Sequence, residues 1–441
     1  MLILLKASHS FSPVSQADNH LDSWEMSRGM TYLVLAGLCM LAYAPTLTIP
    51  LLEDDFPNIV QSQSYGSWDG LGALAADSTF RLRATSYWAM NWLWSNFGVS
   101  AVPFHLFSLG LHIVCTWLVY RLALGWPAMR SGALWAAGFF AIHEGHQEAV
   151  MWFSAINELL QFAFGIAALL CWRAAVARGD WRQHVAGVAL FAMALISKES
   201  AVILLPLFVL VTPSDKRWRT LPQLAPYALL AGVAVVSVLL SRGESFRFDD
   251  GSFSLAAPFW VTMPHSLFRL AWIWGIPALG LLLWKRRDEG LRIVGSATTW
   301  AVIAFLPYMF LTYSTSIPSR QTYLASVGLA LLCGAAISRF AEIRSRRAVT
   351  VLLTIVLVHN CALLWARKCG QFLDRAEPTA QLIALANGMN GDIWVRCFPR
   401  PPIVAEAAVE LAAPDYAGRL IWGAALTGSD EPAAVFCFED R

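Results

Sequence analysis

Long apolar runs separated by short polar stretches dominate the pattern of this chain. Most of the runs approach the roughly 20 residues that an α-helix needs to cross a bilayer. We expect about 11 membrane spans, at residues 31–51, 103–124, 132–148, 157–176, 184–197, 200–213, 221–241, 265–284, 292–312, 321–338 and 348–366. The pattern therefore predicts an all-α polytopic membrane protein.

Composition agrees with this fold class. Hydrophobic residues make up 57% of the 441 residues and charged residues only 14%, whereas a typical soluble domain carries about 25% charge. The formal net charge is +2, so no overall charge draws the chain towards nucleic acid. The positions of the charges are therefore more informative than their sum.

The pattern divides the chain into three parts. Residues 1–29 are expected to form a cytoplasmic tail, because MLILLK is too short for the apolar core of a secretory signal. Residues 30–366 form the transmembrane domain, with a large loop at 52–102. Residues 367–441 alternate helix-like and strand-like stretches, which predicts a small α/β domain.

Lys and Arg predict the orientation of the spans, because cytoplasmic loops carry an excess of both. One side of the predicted topology holds most of them. The loops of the other side hold only Arg81, Arg83, Lys198, Arg242, Arg247 and Arg320. The loop at 52–102 and residues 367–441 are therefore expected on the non-cytoplasmic side, which we call the outer side.

Polar side chains that could bind a ligand or take part in a reaction are concentrated on this outer side. They are Glu53, Asp54 and Asp55 after the first span, His143, Glu144, His146 and Glu148 in the turn HEGHQEAV, Glu158 in INELL, Lys198 and Glu199 in SKES, and Arg320 and Tyr323 in SRQTY. Ionisable residues at membrane depth are functional candidates by default, although any one of these could be a solvated helix end. Their convergence on one side predicts a site there.

Three further features leave alternatives open. The stretch FRLRATSYWAMNWLWSNFG (80–98) predicts a helix in the membrane interface, which either contributes to the site or only anchors the chain. The spacing of His143 and His146 is not that of a zinc helix, so we expect no obligatory cofactor, with a divalent metal as the alternative. Cys397 and Cys437 are expected either to form a disulfide in an oxidising compartment or to remain buried thiols.

The order of these motifs is specific even though each motif is short. The matching positions are Asp54 and Asp55, Arg83, His105 and His112 in FHLFSLGLH, His143 and Glu148, Glu158, Lys198 and Glu199, and Arg320, Tyr323, Ser326 and Gly328. Over about residues 31–340 the chain resembles the GT-C superfamily of membrane glycosyltransferases. Within it, the chain resembles the group of tetratricopeptide-repeat O-mannosyltransferases and protein O-mannosyltransferases, without the repeats.

The resemblance implies a GT-C-like transmembrane domain and an inverting transfer from a polyprenyl-phosphate sugar to a protein, lipid or glycan acceptor. It implies Asp54 as the base that takes the proton of the acceptor, with Asp55 beside it. Phosphate-binding residues would be Arg320, Lys198, Arg83 and Tyr323. Substrate-positioning residues would be His143, Glu148, Glu158, Glu199 and His105.

Other functions remain open from the sequence. A transporter or flippase for a lipid-linked sugar would also place polar residues in the membrane, but at mid-depth rather than on one side. A non-catalytic relative and a lipid-A or polysaccharide ligase are further alternatives. We expect a bacterial inner membrane with a periplasmic site, or else the endoplasmic reticulum with a lumenal site.

The orientation can be tested by cysteine labelling. An impermeant maleimide applied from the outer side should modify cysteines introduced at positions 64, 250 and 430, because these loops are predicted to lie outside. It should not modify cysteines at 179 or 288, which lie in loops rich in Arg and Lys. Labelling of position 179 from outside would reverse the predicted orientation.

Overall fold

The computed structural model describes residues 27–241, 243, 251–284, 287–312, 314–423 and 432–438. The predicted tail before residue 27, the cations Arg242 and Arg247, and labelling positions 250 and 430 lie outside these ranges.

The described residues fold mostly as α-helices, which we number in chain order. Those before residue 200 are α1 Arg28–Tyr43, α2 Asp55–Tyr65, α3 Leu71–Ala76, α4 Ala84–Phe97, α5 Ala101–Leu124, α6 Ala133–Ile142, α7 Gln147–Met151, α8 Ile156–Arg178 and α9 Trp181–Leu195. Those after it are α10 Leu204–Val211, α11 Arg217–Thr220, α12 Ala225–Leu240, α13 Phe259–Ala271, α14 Gly275–Leu283, α15 Arg287–Phe305, α16 Ser326–Ile343, α17 Arg346–Ala362, α18 Cys369–Asn387 and α19 Pro402–Ala412.

Shorter helical turns connect several of these helices. The 3₁₀ turns are Ala44–Thr48, Pro127–Met129, Glu144–His146, Phe153–Ala155, Glu199–Ile203, Leu221–Leu224, Leu306–Tyr308 and Ser319–Thr322. A π-helical turn, Leu363–Lys368, joins α17 to α18 without a break in the helix. The predicted interfacial segment 80–98 contains helix α4.

Seven helices of the described residues are long and apolar enough to cross a membrane, or eight if one bent pair counts as a span. The predicted number of eleven is not confirmed. The predicted spans 132–148, 184–197 and 200–213 correspond to short helices (α6, α9 and α10 with the turn before it). The predicted span 265–284 is bent by 80° between α13 and α14.

The core of the bundle lies around α8 and α16, the candidate spans with the largest buried shares among the described residues, 72% and 67%. In α16, every residue from Ser326 to Ile337 is buried, as expected of a helix surrounded by other helices. Small residues allow this packing: a Cβ added at Gly334 would lie 2.5 Å from the Cβ of Ala136 in α6. The two backbones therefore approach closely at this point.

The end of α1 sets the position of the acidic stretch. Pro45 stands in the turn Ala44–Thr48, where its missing N–H and its ring prevent the α-helix from continuing. The buried His105 of α5 then holds the outgoing chain, with Nδ1 at 3.3 Å from Thr46 Oγ1 and Nε2 at 2.9 Å from the carbonyl oxygen of Ile49. His105 thus fixes the segment that leads to Glu53.

Asp55 joins the start of α2 to the start of α8. Its side chain is fully buried, and Oδ2 accepts a hydrogen bond from Leu52 N at 3.0 Å. Oδ1 accepts two more, from Ser154 N at 2.7 Å and Ser154 Oγ at 2.6 Å. Burial raises the pKa of the Asp55 carboxyl to about 7, and the hydrogen bonds oppose this rise.

The C-terminal residues form two helices and a small sheet. Strands β1 (Ile393–Cys397), β2 (Leu420–Trp422) and β3 (Ala434–Cys437) are parallel, in the order β2-β1-β3. Cys397 and Cys437 form a disulfide between β1 and β3, so the first of the two alternatives for these cysteines is the one found. Ala407, Ala408 and Leu411 of α19 belong to the same apolar core as Phe56 and Ile59 of α2.

Replacing Asp55 by Asn should destabilise the protein. An amide has one acceptor oxygen and one donor group, whereas all three partners of Asp55 are donors. A buried donor left without an acceptor costs about 1–3 kcal/mol. The thermal unfolding midpoint of Asp55→Asn in detergent should therefore fall, while that of Asp54→Asn should not. Equal midpoints for Asp55→Asn and the wild type would contradict the structural role.

Candidate functional site

Asp54 lies between the first span and α2, and its side chain is exposed. The surrounding protein removes part of its hydration, and this desolvation raises the pKa of the carboxyl, as does the charge of Glu53. The positive charges of Arg320, Arg375 and Arg400 act in the opposite direction. Asp54 is thus an accessible carboxylate surrounded by charges of both signs.

Glu53 is the residue of the acidic stretch with the most ionic contacts. Its side chain is buried, and Oε1 accepts from Arg375 Nε at 3.0 Å and lies 2.6 Å from Arg400 Nη2. Arg375 Nη2 also pairs with Oε2, so the Arg375 contact is bidentate. Both arginines come from the C-terminal residues. The sequence gives no local signal for this contact, because Glu53 and Arg375 are far apart along the chain.

Arg320 lies at the other side of Asp54. Its backbone N–H donates to Glu148 Oε2 at 3.1 Å, and its guanidinium lies over the ring of Trp152, 5.0 Å from the ring centroid. Arg375 lies over the same ring at 4.7 Å. Within the ranges that the structure describes, the guanidinium of Arg320 makes no ion pair, so its charge is available to a ligand.

An open cavity of about 300 Å³ lies beside these groups. It is lined by Gln147, Glu148, Gln371, Phe372, Asp374 and Arg375. Glu148 and Arg375 also belong to the cluster around Asp54, so the cavity and the charged cluster are continuous. Amides, carboxylates and an aromatic ring are side chains that can bind hydroxyl groups and sugar rings.

Four other predicted site residues form a separate ionic cluster. Arg83 pairs with Glu199 at 2.8 Å, and Lys198 pairs with Glu158. The hydroxyl of Tyr308 donates to Ser200 Oγ at 2.8 Å, and its ring lies 4.9 Å from Lys198 Nζ. The predicted phosphate-binding cations Arg83 and Lys198 therefore already have carboxylate partners, and each is buried. Breaking such a buried pair is costly because it leaves an uncompensated charge, so neither cation is readily available to a ligand.

Tyr323 and His143 lie in the packed interior. The hydroxyl of Tyr323 lies 2.7 Å from His112 Nδ1, and its ring packs against those of His146 and Phe162. The ring of His143 stacks on Phe139 with centroids 5.2 Å apart. Their burial places both behind the exposed carboxylate rather than beside it.

No support for a metal centre comes from these histidines. Among the residues that the structure describes, no group of three or more His, Cys, Asp or Glu side chains is placed to hold a metal ion. His146 Nε2 lies 2.7 Å from Ser326 Oγ, and both nitrogens of His112 contact other protein groups. These hydrogen bonds give the histidines a packing role.

The structure thus divides the predicted site residues into three groups. Asp54, Glu148 and Arg320 lie near one another, and Asp55 is buried. Arg83, Lys198, Glu158 and Glu199 form the second ionic cluster, and Tyr323, His143 and His105 lie in the helical core. Sequence reasoning named Glu53 without its partners and missed Arg375, Arg400 and Trp152. The one signal for the two arginines was that the predicted topology places them on the side that holds few cations.

Comparisons with known proteins agree with this architecture. No family model matches the sequence. The protein O-mannosyl-transferase Tmtc1 of Drosophila melanogaster is 28% identical over 279 residues, which cover 56% of this chain and 30% of that protein. The chain therefore matches less than a third of the length of this curated relative.

Two solved structures are similar in fold. ArnT from Cupriavidus metallidurans, determined with bound undecaprenyl phosphate, superposes with a TM-score of 0.54 at 12% identity, covering 88% of this chain and 86% of ArnT. The oligosaccharyltransferase AglB from Archaeoglobus fulgidus, determined with a peptide and a dolichol-phosphate, gives a TM-score of 0.50 at 12% identity, covering 87% of this chain and 63% of AglB. The chain therefore shares the fold of these two structures, as the resemblance to GT-C glycosyltransferases implied.

Proposed function

We propose that this chain is a glycosyltransferase that takes a sugar from a polyprenyl-phosphate carrier at the outer membrane face. The observation that carries the proposal is the arrangement of Asp54 and Arg320. An exposed carboxylate with a raised pKa lies in the field of a guanidinium that has no ion-pair partner in the described part of the chain. A base and a phosphate-binding cation are the two groups that this reaction needs.

Asp54 would act as the base. An acceptor hydroxyl or amine must lose its proton as it attacks the anomeric carbon of the sugar, and a carboxylate within hydrogen-bond reach can take that proton. The raised pKa of Asp54 makes it a better proton acceptor than an ordinary aspartate. Asp55 is buried and fully hydrogen bonded, so its role would be to hold the start of α2 and not to take the proton.

Arg320 would hold the phosphate of the donor. As the new bond to the anomeric carbon forms, the bond from that carbon to the phosphate oxygen breaks, and the phosphate leaves with the electron pair. Its negative charge grows during this step, and a guanidinium stabilises that charge through two parallel hydrogen bonds. One displacement of this kind inverts the anomeric configuration and needs no covalent intermediate.

The sugar and the acceptor would meet in the cavity beside Glu148. The similar proteins suggest the classes of substrate. One is named as a protein O-mannosyl-transferase. Of the two solved structures, ArnT contains undecaprenyl phosphate, and AglB contains a dolichol-phosphate and a peptide. For this chain we propose a polyprenyl-phosphate sugar as donor and a protein, lipid or glycan as acceptor. No metal is required in this mechanism.

The disulfide between Cys397 and Cys437 supports an outer location of the site. Disulfides persist in oxidising compartments, and the C-terminal residues that carry this one also supply Arg375 and Arg400 to the acidic stretch. The site and the disulfide therefore share one side of the membrane. We propose the bacterial inner membrane with a periplasmic site, and the lumen of the endoplasmic reticulum is the alternative.

The proposal is tested with purified protein in lipid nanodiscs. Undecaprenyl phosphate carrying mannose, glucose or an amino-pentose is supplied with a mixture of peptide, lipid and glycan acceptors, and products are identified by mass spectrometry. Transfer of a sugar supports the proposal. Binding of the donor with its movement across a vesicle membrane but no transfer would instead support the flippase alternative.

Asp54→Asn should abolish transfer without affecting folding. The amide keeps the shape of the carboxylate but cannot take a proton, and general base catalysis contributes roughly 10²- to 10⁴-fold. The initial transfer rate should fall by that factor while the unfolding midpoint stays unchanged. Asp69→Asn, an exposed acid of the same loop, should behave like the wild type. Near-normal turnover of Asp54→Asn would exclude Asp54 as the base.

Arg320→Ala should weaken donor binding more than Arg320→Lys, and both should be weaker than the wild type. Charge-assisted hydrogen bonds are worth about 1.5–3 kcal/mol each, or roughly ten- to hundredfold in affinity, and a lysine cannot reproduce the planar fork. Binding of undecaprenyl phosphate is measured by native mass spectrometry. The hydrogen bond from Arg320 to Glu148 uses the backbone and survives both substitutions.

A matched control is Arg182→Ala. Arg182 is exposed and also lies over a tryptophan ring, that of Trp181, at 5.9 Å, but it follows α8 at the other end of that helix. Its substitution should leave affinity for undecaprenyl phosphate unchanged. If Arg320→Ala and Arg182→Ala bind the lipid equally well, Arg320 does not hold the phosphate.

A further inference from the structure

Glu53 has an unusual backbone conformation. Its φ of 49° lies in the left-handed region, and among the described residues it is the one non-glycine with positive φ. Such a conformation is uncommon for residues other than glycine and persists where the surrounding contacts hold it in place. The contacts that hold it are those of its carboxylate with Arg375 and Arg400.

These two arginines come from different parts of the C-terminal segment, which we define as residues 369–412. Arg375 lies in α18, and Arg400 lies in the connection between β1 and α19. Both meet the same carboxylate, at 3.0 Å and 2.6 Å for the contacts to Oε1. Glu53 therefore joins two points of the segment to the loop that carries Asp54.

The same contact places Arg375 in the site. Its guanidinium lies 4.7 Å from the ring centroid of Trp152 and 5.0 Å from that of Phe372, and its side chain lines the cavity next to Glu148. Without Glu53 the charge of Arg375 would be partly buried with no carboxylate partner, which is unfavourable. The ion pair thus adds a charged contact to the apolar packing of Phe372 and Ala376 that also holds α18 against the bundle.

We propose that Glu53 is a positioning residue that holds the C-terminal segment over the outer end of the bundle and thereby sets the surroundings of Asp54. The segment then forms one wall of the cavity and supplies two of the cations that face Asp54. The consequence for sugar transfer rests on the proposed function, whereas the attachment of the segment does not.

Hydrogen exchange tests the attachment. Glu53→Gly removes the carboxylate but favours the left-handed backbone, so the loop keeps its conformation. Loss of the charge-assisted contacts should increase amide exchange by roughly ten- to hundredfold in residues 403–412 of α19. Arg375→Gln should have a similar effect. Arg396→Ala, an exposed arginine of β1 that lies over Trp394, is the matched control and should leave exchange unchanged.

Carbodiimide labelling tests the effect on Asp54. The reagent couples protonated carboxyls, and peptide mass spectrometry gives the pH midpoint of labelling at Asp54. The charges that face this carboxyl are those of Glu53 on the same segment, Arg320 on the turn Ser319–Thr322, Arg375 on α18 and Arg400 before α19. Glu53→Gln removes one anion but also releases the segment that brings two cations to Asp54, so the midpoint should move to higher pH. Arg375→Gln removes a cation, so the midpoint should move to higher pH.

Shifts to higher pH in both variants distinguish positioning of the segment from a direct effect of the Glu53 charge alone, which would move the midpoint of Glu53→Gln to lower pH. Unchanged exchange in Glu53→Gly, or a shift of the Glu53→Gln midpoint to lower pH, would overturn the inference. Neither readout needs turnover. If the wild type transferred no sugar, the proposed function would fail while these two measurements would still decide the role of Glu53.

Discussion

A charge buried in or near a membrane protein must have a partner, because the loss of hydration costs several kcal/mol when it is not compensated. The end of this bundle that carries the acidic stretch follows the rule. Asp55 accepts three hydrogen bonds, Glu53 is held by two arginines, and Lys198 and Arg83 each pair with a carboxylate. These partnerships fix the ends of α1, α2 and α8 relative to one another.

The same rule makes Asp54 and Arg320 stand out. Asp54 is exposed, and the guanidinium of Arg320 stacks on Trp152 without an ion pair in the described ranges. Their neighbours are held by ion pairs and hydrogen bonds, so these two groups are held in place while their own charges remain available. Two available charges in a firmly packed surrounding suit the transfer that we propose.

Much of this architecture could be predicted from the sequence because its signals are local. Apolar runs predicted a helical membrane protein, and the stretches around Ile393 and Phe436 were recognised as strands. The number of spans was not predictable, because α6 and the helical stretch Glu199–Val211 are apolar but too short to cross by length alone. The contacts of Glu53 were missed because Arg375 and Arg400 lie far away in the chain, and a local pattern carries no information on such pairs. The sequence also could not distinguish the two adjacent aspartates. Only the structure shows that the side chain of Asp55 is buried and that of Asp54 is exposed.

The most direct test of this account is an electron cryomicroscopy structure of the protein in nanodiscs with undecaprenyl phosphate. The account predicts that the phosphate lies within hydrogen-bond distance of the Arg320 guanidinium, with the Asp54 carboxylate facing the space next to it and the pairs Lys198–Glu158 and Arg83–Glu199 intact. A phosphate bound instead to Lys198 or Arg83, with those ion pairs broken and Arg320 left without contact, would contradict it.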